Sequence, residues 1–170
     1  AAAIARAARG EGLLEWHEAR DADEVERLWA ARKALSPALR TLAPNKINED
    51  VVVPVSRVPA LVGGLKALSR RYGIPIVNFG HAGNGNIHVN LLYRPDDAQH
   101  AANVEPCLDA VFALVLELDG TLSGEHGIGL AKRPFMARAL DAHALDLMRA
   151  IKRSFDPDGI LNPGKLLPDA

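Results

Sequence analysis

The segments His81-Ala82-Gly83-Asn84-Gly85-Asn86-Ile87-His88 and Ser123-Gly124-Glu125-His126-Gly127 bring three histidines and one glutamate into two glycine-rich stretches. Imidazole and carboxylate are the side chains that bind a borderline divalent metal, and a histidine also moves a proton near neutral pH. Neighbouring glycines let the backbone turn sharply and let a ligand approach closely. His81, His88 and Glu125 make a His-His-Glu ligand set that leaves coordination positions open for substrate, and the adjacent His126 is then available as a base.

These residues must be positioned by the elements around them. A two-residue type I′ turn at Asn84-Gly85 would set His81 directly opposite His88, with Cβ atoms about 5 Å apart on one face of a hairpin. Asn90, two residues beyond His88, shares that face and could offer its amide to a ligand. The pattern predicts strands at Ile74–Phe79 and Ile87–Tyr93 on either side of the turn. Upstream, a short alanine-rich helix stops at Gly10 and Gly12–Glu18 alternates like a strand. Asp21 and Glu24 mark the start of a helix bearing Val25, Leu28, Trp29, Arg32 and Leu35, followed by an irregular stretch at Pro37 and Pro44. Glu49–Val55 is rich in β-branched residues and reads as a strand; Ser56 caps a helix that ends at Gly73. Further helices are predicted at Ala101–Leu118 and Ala142–Phe155, with a short strand at Thr121-Leu122-Ser123 and a turn-rich tail after Asp156. This order lacks a regular βαβ rhythm. It predicts an α+β fold, an antiparallel sheet with helices on one face, related to the ferredoxin-like arrangement.

Composition narrows the function. With 48% hydrophobic and 24% charged residues, the chain reads as an ordinary soluble globular protein. A net charge of -1 supplies no field for nucleic acid or an anionic membrane, and Arg70-Arg71 and Lys132-Arg133 read as solvated basic spots. No apolar run approaches the ~20 residues of a membrane span. Cys107 is the single cysteine, so no internal disulfide forms; at the start of an apolar helical pattern it reads as a buried structural thiol, and a reducing compartment fits. The 170 residues begin without methionine and inside a helix, as expected of a segment of a longer protein.

Three motifs, in this order along the chain, carry a family resemblance: His81-x-Gly83-x-Gly85-Asn86-x-His88, Ser123-Gly124-Glu125-His126-Gly127-Ile128-Gly129 and Gly159-Ile160-Leu161-Asn162-Pro163-Gly164-Lys165. The chain resembles the C-terminal part of FAD-linked oxidases of the vanillyl-alcohol oxidase type, among them the D-2-hydroxyacid enzymes acting on glycolate, D-lactate and D-2-hydroxyglutarate. The resemblance implies that His81, His88 and Glu125 hold zinc or manganese, which chelates the substrate's hydroxyl and carboxylate oxygens. His126 would take the hydroxyl proton as hydride leaves for FAD. Arg32 would pair with the substrate carboxylate, Ser36 and Asn90 would also contact substrate, and Asn162 would lie near the flavin.

The resemblance also implies a missing part, because the family's FAD-binding domain would precede this segment. Residues 1–170 are then expected to be a single substrate or cap domain with a C-terminal tail, inactive alone, within an oxidoreductase that takes a small 2-hydroxyacid. Its partners would be that acid and the FAD-binding domain, whose docking surface, if left bare, could drive homodimerisation. A cytoplasmic protein, peripheral to a membrane only through a partner, is expected. Two other readings of the same residues are a metal-dependent hydrolase using a metal-bound water and, for the isolated fragment, a non-catalytic interaction module.

Overall fold

The computed structural model describes residues 2–169. They fall into two compact units, one up to Leu42 and one from Ala43 onward.

The first unit is helical: α1 (Ala2–Ala8) and α2 (Ala22–Ala38), the latter tightening into a 3₁₀ turn at Leu39–Thr41. Asp21 caps α2 as expected, its Oδ1 accepting from the Glu24 N–H at 2.8 Å, while Glu24 Oε2 accepts from the Arg20 N–H at 2.8 Å. The helix runs one residue past Pro37. The strand expected at Gly12–Glu18 does not form; residues 13–20 have no regular structure. Alternation alone does not make a strand, because the ladder needs a neighbour, and no described residue pairs with this stretch.

The second unit holds a three-stranded antiparallel sheet: β1 (Asn45–Val52), β2 (Ile76–His81) and β3 (Asn86–Tyr93), in the order β1-β3-β2. β1 starts earlier than its β-branched run suggests, because Asn45–Asn48 are recruited by pairing with Tyr93–Asn90. It ends before Pro54, which lacks the N–H a ladder needs. After a 3₁₀ turn at Val55–Arg57, α3 (Val58–Tyr72) starts with Arg57 at the N-cap, not Ser56, and ends at Gly73 in the left-handed conformation. α4 (Ala98–Glu117) begins three residues earlier than expected because Asp97 caps it, its carboxylate accepting from the N–H groups of Gln99 and His100. The short α5 (Met136–Ala139) and α6 (Ala142–Phe155) follow.

The expected fold class holds. β1-α3-β2-β3-α4 is a split βαβ with an antiparallel hairpin strand between the parallel pair. The predicted strand at Thr121 survives as one antiparallel bridge to Val52, on the outer edge of β1. That is where the last strand of a ferredoxin-like sheet would lie.

The sheet's two faces divide the labour. Val51, Ile87, Val89 and Leu91 point to the helix side and pack with Leu61 and Leu65 of α3 and Cys107, Val111, Phe112 and Val115 of α4. Burial pushes the Cys107 thiol up to about 11, as suits a structural cysteine. No helix among the described residues is long and apolar enough to cross a membrane. The other face carries Asp50, Asn86, His88 and Asn90, with Phe79 and His81 on β2. Period two in a strand makes this split unavoidable once the odd positions of β3 are apolar.

The hairpin turn differs from the expected one. His81 pairs with Asn86 and Phe79 with His88, so the connection has four residues: a 3₁₀ turn at Ala82–Asn84, then Gly85 at φ 79°. The Gly85 carbonyl also accepts from the Val53 N–H at 3.1 Å. A Cβ at Gly85 would stand 1.9 Å from the Val53 carbonyl oxygen. Left-handed backbone costs an L-residue about 1–2 kcal/mol, and the clash adds to it. Gly85→Ala is therefore expected to lower stability by about 2–4 kcal/mol in chemical denaturation; a loss below about 1 kcal/mol would show that the turn can relax away from Val53.

Candidate metal centre and active site

His81 and His88 do not oppose each other directly, yet they meet. The observed register differs from the expected one by two residues, and a shift of two keeps every side chain on its face. The histidines become diagonal neighbours, with ring centroids 5.7 Å apart in an edge-on arrangement. Glu125 enters from the loop after Thr121, its Oε1 3.1 Å from His88 Nε2. One ligand atom from each of His81, His88 and Glu125 falls within 4.8 Å of the other two. His126, the next residue, stacks on His88 with centroids 5.4 Å apart and planes tilted 20°. The structure thus brings together the four residues singled out for metal binding and proton transfer.

Burial grades across the site. The His88 side chain is 14% exposed and that of Glu125 50%. Burial lowers the His88 pKa, against the pull of the Glu125 carboxylate. His88 is therefore neutral at neutral pH, the form that can ligate a metal. Its Nδ1 is buried without a hydrogen-bond partner among the described residues. Two imidazoles and a carboxylate converging on one point fit a borderline divalent ion with open positions.

The loop is held by Asp50, a fully buried residue of β1 and the register partner of His88. Asp50 Oδ2 accepts from the N–H groups of Gly124 at 2.8 Å, His126 at 2.9 Å and Glu125. Oδ1 accepts from Ser123 Oγ at 3.2 Å and Lys132 Nζ at 2.5 Å, and lies 3.5 Å from His126 Nδ1. Burial alone would raise this carboxyl; the Lys132 hydrogen bond and the Glu125 and His126 N–H groups overcome it and hold Asp50 well below the usual carboxylate range. Lys132 also lies 3.3 Å from Glu49 Oε2. Burial pushes Glu49 up, and Lys132 offsets only part of that. Gly124 packs closely on β3: a Cβ there would stand 2.6 Å from Asn86 Nδ2, so the Asn86 side chain would have to shift.

Asn90 is fully buried, and its amide is spent inside the sheet: Oδ1 accepts from Asn48 Nδ2 on β1 at 2.8 Å, and Nδ2 donates to the Val77 carbonyl on β2 at 3.0 Å. Arg32 and Ser36 are on α2 in the other compact unit, with the Arg32 guanidinium 5.4 Å from the Trp29 ring centroid. Asn162 sits in the exposed tail at φ 49°, its Oδ1 3.4 Å from Lys165 Nζ. That tail is non-helical as expected and is organised by Asp156, which accepts from the Ile160 and Leu161 N–H groups at 3.0 Å.

Sequence reasoning missed Asp50 and misread Lys132. Lys132 is no solvated basic spot: it is 2% exposed and ion-paired with two acids. The available signal was Glu49-Asp50 inside a β-branched strand, where adjacent acids facing opposite sides cannot both reach solvent freely.

A helix-backed antiparallel sheet is a fold this chain shares with 4-ethylphenol oxidase from Gulosibacter chungangensis, solved with isoeugenol: TM-score 0.55 and 23% identity, over 89% of this chain and 32% of that one. Residues 1–166 match the family of FAD linked oxidases, C-terminal domain, and the chain belongs to it. It is 38% identical over 144 residues to glycolate oxidase subunit GlcD of Bacillus subtilis (strain 168), covering 85% of this chain and 31% of that protein. It is 35% identical over 163 residues to a probable mitochondrial D-lactate dehydrogenase of Danio rerio, covering 94% and 32% respectively. The chain thus spans about a third of the length of these relatives.

Asp50 makes stability depend on pH with a definite sign. Its native pKa lies below the ordinary 3.8, so its contribution is complete above that value and is lost as pH falls towards the depressed native one. Asp50→Asn is expected to cost about 3–5 kcal/mol near neutral pH, since it strips a buried lysine of its closest partner. It should also flatten the acid limb of the stability curve between about pH 5 and pH 2. Urea unfolding across that range checks both, and an acid limb as steep as wild type would assign it to other carboxylates.

Proposed function

We propose that this chain is the substrate- and metal-binding part of an FAD-dependent oxidoreductase that oxidises a small D-2-hydroxyacid, such as glycolate or D-lactate, to the 2-oxoacid. The observation that carries the reading is the convergence of His81, His88 and Glu125 beside His126. Family membership supports FAD as the redox cofactor, and the relatives' names support the substrate class.

Bound zinc or manganese would acidify the coordinated substrate hydroxyl, and FAD would accept the hydride. His81, His88 and Glu125 hold the metal. His126 takes the hydroxyl proton at Nε2, since its Nδ1 faces Asp50. Arg32 pairs with the substrate carboxylate in the two-pronged geometry a guanidinium allows, Ser36 adds a hydroxyl contact, and Asn162 lies by the flavin. Asn90 serves the site by tying β1, β3 and β2 together under His88 rather than by touching substrate. The FAD-binding portion is the main partner, in a cytoplasmic enzyme; a bare docking surface would favour a homodimer.

Two measurements test this. In the flavin-loaded protein that contains this chain, anaerobic D-lactate or glycolate is expected to bleach the yellow flavin, and His126→Asn to slow that reduction by about 10²–10⁴-fold with metal affinity retained. Calorimetry on the chelator-treated chain is expected to show Zn²⁺ or Mn²⁺ binding that His88→Ala abolishes. A flavin that no 2-hydroxyacid reduces would sink the substrate class; ion binding that survives His88→Ala would sink the metal centre.

A further inference from the structure

We infer that Asp50, locked by Lys132, is the positioning residue that sets Glu125 and His126 against His88. The site assignment rests on the metal reading above; the positioning claim concerns the loop and is tested separately.

A carboxylate offers about four lone-pair directions. Those of Asp50 are claimed by five donors: three successive backbone N–H groups, the Ser123 hydroxyl and the Lys132 ammonium. With no exposed surface and no spare acceptor site, Asp50 can neither ligate a metal nor take a proton from substrate. What it can do is fix backbone. Its three N–H donors belong to Gly124, Glu125 and His126, so it determines where the Glu125 and His126 side chains leave the chain.

The placement carries the rest. Asp50 faces His88 across the β1–β3 ladder, so the loop anchor and the inner histidine share one rigid register pair. Lys132 Nζ donates to both Oδ1 and the main-chain carbonyl of Asp50, the latter at 3.1 Å. The loop is therefore fastened to one residue at Ser123–His126 and again at Lys132. Any motion of Asp50 relative to β3 becomes a change in the 3.1 Å His88–Glu125 separation. Groups that support ligands in this way typically change metal affinity 10–100-fold when removed.

The experiment uses the 170-residue chain, with Zn²⁺ alone as probe. Asp50→Asn, Asp50→Glu and Ser123→Ala are compared with wild type by calorimetry, by amide hydrogen exchange at residues 124–126, and by thermal melting. Expected is a loss of Zn²⁺ affinity of about 10-fold or more in Asp50→Asn, with the three amides exposed to exchange while those of β1 and β3 stay protected. Asp50→Glu keeps the charge but moves it by a methylene, so it should not restore affinity; a charge that acted at a distance would. Ser123→Ala removes one donor, leaves the buried ion pair intact and should show a smaller loss in the same direction, which serves if Asp50→Asn does not fold. Wild-type affinity in Asp50→Asn overturns the proposal. If wild type binds no Zn²⁺, the metal reading fails, and exchange decides on the loop: amides still protected in Asp50→Asn overturn the positioning role, and their selective release upholds it.

Discussion

A carboxylate cut off from water must find every hydrogen bond inside the protein, and Asp50 finds its own in the loop that carries Glu125 and His126. The requirement runs in both directions. Asp50 needs the N–H groups of residues 124–126 to remain charged, and those N–H groups, with no helix or strand to satisfy them, need Asp50. Lys132 completes the arrangement by supplying the compensating charge. The loop has one low-energy place to lie, and that place puts Glu125 beside His88.

The rest of the second unit serves this placement. The Val52–Thr121 bridge delivers the chain to the loop at the correct edge of β1. Gly124 lets the backbone pass over Asn86, and the Asn48–Asn90–Val77 chain of hydrogen bonds fixes β1, β3 and β2 beneath the histidines. The apolar face, packed on α3 and α4, makes the sheet rigid enough for these separations to matter.

What the sequence disclosed follows from which interactions are local. Strand alternation and helix caps lie within a few residues of one another, so the sheet, its helices and the shared face of His81 and His88 could be read directly. The turn at Asn84-Gly85 was misjudged by two residues because Gly85 is held by Val53, outside the hairpin; the face survived because parity is unchanged by an even shift. Gly12–Glu18 shows the converse, a good local pattern with no neighbour to pair with. Asp50 and Lys132 were invisible because their contact spans 82 positions. An acid in a strand and a Lys-Arg pair each read as surface until the fold brings them together.

One lysine between two acids must favour one of them. Lys132 stands 2.5 Å from Asp50 and 3.3 Å from Glu49, and among the described residues backbone N–H groups donate to Asp50 alone of the two. The neighbours therefore diverge: Asp50 is driven down and Glu49 is pushed up, although both lie buried in the same strand. Had the cation stood midway, two half-compensated acids would have been left in low dielectric, and one would have taken up a proton. Concentrating the compensation on Asp50 keeps a full charge on the side of β1 that faces His88 and His126. The ionic anchor thus sits beneath the imidazoles, where it orients the loop that carries Glu125 and His126.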